Sequence, residues 1–265
     1  MKKIVMFGIC GKMGTSMAKE LVKEKDVEIV GGFDRLNIGS DIGLVLGTGE
    51  TGKLIYSSYD AVKKINADLI IDFTNAEIAL KTINWALNNS IDIIVGTTGL
   101  KKEELSGIEK KAAGLKSKVF IAPNFSIGAV IMAKLSQMVA KFFDNCEIIE
   151  LHHDRKKDAP SGTAIFTAEQ IAQEKIFNNS RLKESEVEIL QGSRGSFTDG
   201  IHIHSIRLPG LLAHQNVIFG TTGQTLSIKH DSIDRSSFYP GLILAVRKID
   251  NLSNYTYGLD KIIDL

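Results

Sequence analysis

The densest run of chemically able side chains is Glu150-Leu151-His152-His153-Asp154-Arg155-Lys156-Lys157-Asp158-Ala159-Pro160-Ser161-Gly162-Thr163-Ala164. Its two histidines are groups that give and take a proton near neutral pH. Lys156 and Lys157 add positive charge. Pro160 and Ser161 mark a helix start, where the N–H groups of Ser161, Gly162 and Thr163 and the helix dipole favour a carboxylate. Together these features suit an anionic substrate that has to be protonated. Each has a plainer reading taken alone: the serine as a cap, a histidine as structural, the lysines as a solvated turn. Their coincidence in so short a stretch sets those readings aside. A metal site is rejected, because neighbours on a strand face opposite ways and no third ligand pair has the spacing of a zinc or iron site. His202, His204, His214 and His230 read as polar sheet residues or subunit-interface groups; His202 and His204 share one strand face.

A second constellation opens the chain. Gly8-Ile9-Cys10-Gly11-Lys12-Met13-Gly14 follows an apolar strand and runs into a helical pattern. Glycine permits the tight turn and the close approach of a pyrophosphate, whose charge is favoured at the helix start. The spacing is GxxGxxG, with Ile9 where the commoner GxGxxG places its first glycine. Asp34 ends the next strand and suits the ribose hydroxyls of NADH, while Arg35 beside it suits the 2′-phosphate of NADPH. Either cofactor is therefore compatible. Gly96-Thr97-Thr98-Gly99 and Ala122-Pro123-Asn124-Phe125 follow two further strands, where an open parallel sheet binds its ligands and where they would border a nicotinamide.

The elements that must position these groups follow from the hydropathy pattern. Ile4–Phe7, Glu28–Phe33, Asp68–Phe73, Asp92–Val95 and Val119–Ala122 are apolar runs typical of buried parallel strands. Amphipathic stretches lie between them, so residues 1–123 are expected to form an α/β, Rossmann-type doubly wound domain. From 124 to 232 an apolar helix (Ile127–Phe143) leads into a strand at Glu147–His152. Period-two segments through Ile201, Val217 and Leu226 follow, giving an expected second α+β domain on a mostly antiparallel sheet. Phe238–Ile249 returns to a helical pattern and Leu259–Leu265 is a short apolar run. Residues 233–265 are expected to return to the first domain.

The chain has 265 residues, enough to bury a sizeable core, so a peptide-sized module or a disulfide-stapled miniprotein is excluded. Lys and Arg number 32 and Asp and Glu 31, a net charge of +1, which provides no overall field toward nucleic acid or an anionic membrane. No run approaches the roughly 18 apolar residues of a transmembrane helix, and the N-terminus reaches a polar, Gly-rich segment before a secretory apolar region could form. With only Cys10 and Cys146, far apart, the expectation is a reduced, cytoplasmic protein. Glycine, at 24 residues against 4 prolines, matters for where it sits: in the loops already named.

These motifs resemble the dihydrodipicolinate reductase family over essentially the whole chain. The resemblance rests on Gly8 to Gly14, Gly96-Thr97-Thr98-Gly99, Ala122-Pro123-Asn124-Phe125-Ser126 with Gly128, and Glu150 to His153 leading to Lys156 and Asp158 to Ala164. His204-Ser205-Ile206-Arg207 and Arg235 with Phe238 and Gly241 also fit. It implies reduction of a (hydroxy-)dihydrodipicolinate by NADH or NADPH in lysine and diaminopimelate biosynthesis. His152 would be the general acid/base and Lys156 a second proton donor. His153, Gly162 and Thr163 would hold the dicarboxylate, with Ser161 and Lys157 nearby. Gly8, Ile9, Cys10, Gly11, Lys12, Met13, Asp34, Arg35, Gly96, Thr97, Thr98, Ala122, Pro123, Asn124 and Phe125 would line the cofactor. It further implies a homotetramer joined through the second domain's sheet, with no metal. Asp34 is a shorter arm than the glutamate many relatives carry, and Asp154 and Lys157 lie between matched positions. The alternatives are another two-domain NAD(P)-dependent oxidoreductase of the aspartate pathway and a nicotinamide-sensing protein without turnover; the near-neutral charge counts against a DNA-reading sensor.

Overall fold

In a computed structural model describing residues 1–177 and 187–263, near-continuous apolar runs become the inner strands of a parallel sheet. Strands β1 (Lys2–Phe7), β2 (Val27–Phe33), β4 (Leu69–Asp72), β5 (Asp92–Val95) and β6 (Val119–Ile121) are joined by β3 (Ile55–Tyr56) and β12 (Tyr255–Tyr257). Their order is β12-β6-β5-β4-β1-β2-β3, and every pairing is parallel. Ile4 to Phe7, Leu69 to Ile71 and Ile93 to Val95 are wholly buried, as strands covered on both faces must be. The order reverses between β4 and β1, which creates a crevice beyond the strands' carboxyl ends.

Helices follow the 3.6-residue period of their apolar side chains. Helix α1 (Lys12–Leu21) buries Met17, Ala18 and Leu21, and α4 (Ala76–Asn88) buries Ala79, Ile83, Ala86 and Leu87. Asn75 caps α4 by accepting the Ile78 N–H at 3.1 Å. Two short helices, α2 (Ile42–Leu46) and α3 (Tyr59–Lys63), and helix α5 (Lys102–Ala112) complete the crossovers. The two-residue β3 and the helices α2 and α3 are too short to show a hydrophobic period, and pattern reading passed over them. Helix α8 (Tyr239–Lys248) and β12, which pairs with β6, belong to the same unit, Met1–Phe125 with Phe238–Leu265. The last two residues of the apolar run 259–265 lie outside the described residues.

The other unit, Ser126–Ser237, holds a five-stranded sheet of order β11-β10-β7-β9-β8, built from β7 (Asn145–His152), β8 (Ser196–Thr198), β9 (Ile201–Arg207), β10 (Ala213–Thr221) and β11 (Gln224–Ser232). Its pairs are antiparallel except β7 with β9, which run parallel. A parallel pair needs a crossover, and α7 (Gly162–Glu174) lies in the segment that supplies it. One face carries Cys146, Ile148, Ile203, Val217 and Phe219, packed with Met132 of α6 (Ile127–Val139) and with Ala164, Ala168 and Ile171 of α7. The expected apolar helix therefore stops at Val139 and gives way to a tighter turn over Ala140–Phe142.

Candidate active site

At the end of β1 the chain turns through Gly8, whose φ of +74° is a left-handed conformation that a side chain disfavours. A Cβ on Gly14 would lie 2.0 Å from the Gly8 carbonyl oxygen, so α1 starts directly against the turn. Gly11 precedes the helix with no side-chain cap, leaving the first-turn N–H groups at Lys12 and Met13 for an anion. Asp34 is tied into this turn: its carboxylate accepts the Cys10 N–H at 2.9 Å and the Leu36 N–H at 3.1 Å. Each carboxylate oxygen accepts more than one hydrogen bond, so capacity for a ribose hydroxyl remains. Arg35, Lys12 and Thr98 are exposed.

Three residues in the expected cofactor set offer no side-chain surface. Ile9 is fully buried and packs over Gly32 of β2, where a Cβ would come within 3.0 Å of Ile9 Cγ2. Glycine in β2 thus makes room for isoleucine at the position usually held by the motif's glycine. Ala122 and Phe125 are likewise buried, the Phe125 ring standing edge-on to Phe73 at 5.9 Å. Any contact these residues make with a ligand is through backbone. Pro123 is exposed, Asn124 half-buried, and Gly96 packs so tightly on Phe73 that a Cβ would fall 2.2 Å from its ring.

In the other unit, the alternation that buries Cys146 and Ile148 also buries Glu150, a charged residue on the apolar face of β7 with no exposed surface. Burial opposes its ionisation. Hydrogen bonds from His152, Arg207 and Ser205 outweigh that cost and hold its carboxyl at about 2. Arg207 grips both oxygens, Nη2 to Oε1 at 2.7 Å and Nη1 to Oε2 at 2.9 Å, a bidentate pair. His152 Nδ1 shares a short hydrogen bond with Oε2, and the Ser161 N–H donates to Oε1 at 3.3 Å. The parallel register places Ser205 beside Glu150 and Arg207 beside His152. Three chain segments, β7, β9 and the start of α7, thus meet at one carboxylate.

The remaining expected site residues lie on the segment that runs from the end of β7 into α7. Ser161 is buried, and its hydroxyl accepts the Ala164 N–H at 3.2 Å. Its hydroxyl oxygen and its N–H are therefore engaged within the protein, and its structural task is to cap α7. Gly162 opens that helix, and a Cβ built on it meets nothing within 4 Å. His153 Nδ1 is buried with no hydrogen-bond partner among the described residues. Lys156 Nζ meets Asp158 at 2.8 Å, while Lys157 is exposed. His204, on the outer face of the sheet, donates from Nε2 at 2.7 Å to the carboxylate of Glu147, which also binds Arg194. Among the described residues no group of three or more His, Cys, Asp or Glu is placed to hold a metal ion.

Glu150 and Arg207 are the residues that motif reading left without a role. The signal for the first was present, since Glu150 and His152 are two apart on a strand and share a face. Arg207 lies far along the chain, and only strand register brings it in.

Comparison with known proteins agrees in both units. The family model described as "Dihydrodipicolinate reductase, N-terminus" matches residues 2–125, and that described as "Dihydrodipicolinate reductase, C-terminus" matches residues 128–263. The chain is 44% identical over 265 residues to the 4-hydroxy-tetrahydrodipicolinate reductase of Dictyoglomus turgidum, covering all of this chain and 98% of that protein. It is 43% identical over 264 residues to the protein of the same name from Carboxydothermus hydrogenoformans, covering 99% of this chain and all of that one. The solved structure of a dipicolinate-bound dihydrodipicolinate reductase from Paenisporosarcina sp. TG-14 superposes with a TM-score of 0.86 at 34% identity, covering 99% of this chain and 100% of the other.

Proposed function

The chain belongs to the dihydrodipicolinate reductase family, and we propose that its two units divide one reaction between them: the first holds NADH or NADPH, the second holds a cyclic dicarboxylate and protonates it. The protein is an oxidoreductase, a 4-hydroxy-tetrahydrodipicolinate reductase of lysine biosynthesis. The observation that carries the division of labour is the Glu150–His152–Arg207 constellation. It fixes a histidine ring beside a helix start suited to carboxylates.

The turn at Gly8 fits a dinucleotide, because the contacts that exclude a Cβ at Gly8 and Gly14 leave bare backbone and an uncapped helix start for a pyrophosphate. Gly8 to Met13 would hold the pyrophosphate, and Asp34 and Arg35 the adenosine ribose. Gly96 to Thr98 and Ala122 to Phe125 would border the nicotinamide. When bound, the reduced nicotinamide supplies a hydride from C4. This chain's residues do the rest. Gly162 and Thr163 present N–H groups at the positive end of α7 to a substrate carboxylate. His153 Nδ1 and Lys156 Nζ would bind the anion as well.

His152 is the proton source. Glu150 accepts at Nδ1, so the proton to be delivered is carried on Nε2. After hydride addition to the unsaturated ring, that proton goes to the adjacent position, and His152 is left neutral. Lys156 stands as a second donor.

Copies of the chain assemble, on this reading, as a homotetramer through the outer face of the five-stranded sheet. Ile149, Leu151, Ile206 and Ile218 stand on that face and are only half-buried, an apolar set opposite the core. The two cysteines are unpaired and no helix among the described residues is long and apolar enough to cross a membrane; both observations fit a cytoplasmic enzyme. The test of the function is loss of reduced-nicotinamide absorbance with substrate made in place by the preceding synthase, beside a panel of other anions. Turnover confined to the cyclic dicarboxylate supports the reading, and preference for a different anion contradicts it.

A further inference from the structure

Asp72 is the last residue of β4, beside the point where the sheet order reverses, and it has no exposed surface. Its register neighbours are Phe7 of β1 and Val95 of β5, the residues from which the Gly8 and Gly96 loops depart. The hydrogen bonds from Thr74 and Thr97 all arrive at one oxygen. Oδ1 accepts the Thr74 N–H at 2.9 Å, the Thr74 hydroxyl at 2.7 Å and the Thr97 hydroxyl at 3.0 Å. Oδ2 is buried with no partner among the described residues, and burial pushes the carboxyl above the ordinary range. A buried carboxyl is costly where an apolar side chain would fill the same space. Fold stability alone does not account for it.

What Asp72 does is join loops. Thr74 belongs to the loop that follows β4 and Thr97 to the loop that follows β5, and a single oxygen holds both. The first of these loops is the wall against which the others pack. A Cβ on Gly8 would sit 2.8 Å from the Phe73 carbonyl oxygen and 3.2 Å from Thr74 Cγ2, and one on Gly96 would strike the Phe73 ring at 2.2 Å. The Thr97 side chain is itself buried, so without Asp72 its hydroxyl has lost its acceptor.

We propose that Asp72 is a positioning residue for the dinucleotide: by accepting from Thr74 and Thr97 through Oδ1, it sets the spacing of the loops that line the crevice beyond β1, β4 and β5. It touches no substrate and carries no proton of the reaction. The inference rests on the reading that this unit binds the reduced dinucleotide.

The test compares Asp72→Asn, which keeps an acceptor oxygen at Oδ1, with Asp72→Val, which puts an apolar branch in place of the carboxyl and loses the acceptor. Dissociation constants for NADH and NADPH are measured by nucleotide fluorescence on the full-length protein, with dipicolinate affinity as the control on the other unit. Asp72→Val is expected to weaken the preferred nucleotide about tenfold or more, with dipicolinate affinity within about twofold. Its kcat at saturating nucleotide should stay within about threefold while KM for the nucleotide rises. Asp72→Asn is expected to restore binding to within about threefold of the unmodified protein. If Asp72→Val does not fold, Thr74→Val removes one of the three donors to Oδ1 and should weaken nucleotide binding severalfold. Unchanged nucleotide affinity in the folded Asp72→Val, or failing that in Thr74→Val, overturns the role of Asp72, as does an Asp72→Asn variant no better than Asp72→Val. Absence of nucleotide binding by the unmodified protein overturns the cofactor reading itself, and this inference with it.

Discussion

His152 Nδ1 is hydrogen-bonded to Glu150 Oε2, and the carboxylate that holds the ring is itself held, on both oxygens, by Arg207. The imidazole therefore has one nitrogen committed to the protein and one available to substrate. Glu150→Gln keeps the shape and loses the charge. It should lower kcat by about 10- to 100-fold with KM for the dicarboxylate changed by less than about threefold, since the residue orients a proton donor and binds no substrate. Steady-state kinetics with each substrate saturating in turn checks the split.

Arg207→Ala should be more damaging to the fold than to binding. It leaves an ionised Glu150 buried with His152, Ser205 and the Ser161 N–H but no cation gripping it, and breaking a buried pair from one side costs about 3–5 kcal/mol. Denaturant unfolding of the variant should show a loss of that order. Arg207→Lys, which cannot grip both oxygens at once, should fall between the two.

Acid stability carries the signature of the same carboxyl. Glu150 is held at about 2 in the folded protein against an ordinary 4.5, so the folded state gains when the group is ionised. That gain is present in full above about pH 4.5 and is lost as pH falls toward about 2; at about 1.4 kcal/mol per pH unit it amounts to roughly 3 kcal/mol. The thermal midpoint should drop through this window. In Glu150→Gln the drop should be visibly shallower, and equal slopes would remove Glu150 as its source.

Gly14→Ala tests the turn after β1. The added Cβ would lie 2.0 Å from the Gly8 carbonyl oxygen, a backbone atom, so the turn and the start of α1 must separate. Nucleotide affinity should fall by about tenfold or more, and dipicolinate affinity in the other unit should hold. Paired titrations of the two ligands check this.

Much of this was legible in the residues themselves. The buried parallel strands announced themselves as apolar runs, and the turn at Gly8 to Gly14 as a glycine pattern between a strand and a helix. The cluster from Glu150 to Ala164 was visible as chemistry before any geometry. What stayed hidden had physical reasons. Arg207 enters through the parallel register of β7 and β9, a long-range pairing that local pattern does not encode. Glu150 stands among Cys146 and Ile148 on the inner face of β7, a burial that its charged side chain does not announce. Ser161 caps α7, a role its residue type does not distinguish from an anion contact, because a helix cap and an anion site draw on the same residue types. Ile9 marked a departure from the common glycine motif, and its compensation at Gly32 lies on another strand.

The most direct measurement is the turnover of His152→Ala, with the cyclic dicarboxylate generated in place and oxidation of NADH and NADPH followed by absorbance. The unmodified protein should oxidise the nucleotide, and the variant should do so about 10²- to 10⁴-fold more slowly, with its nucleotide dissociation constant unchanged. A folded His152→Ala enzyme turning over within about threefold of the unmodified protein would contradict the assignment of the proton donor.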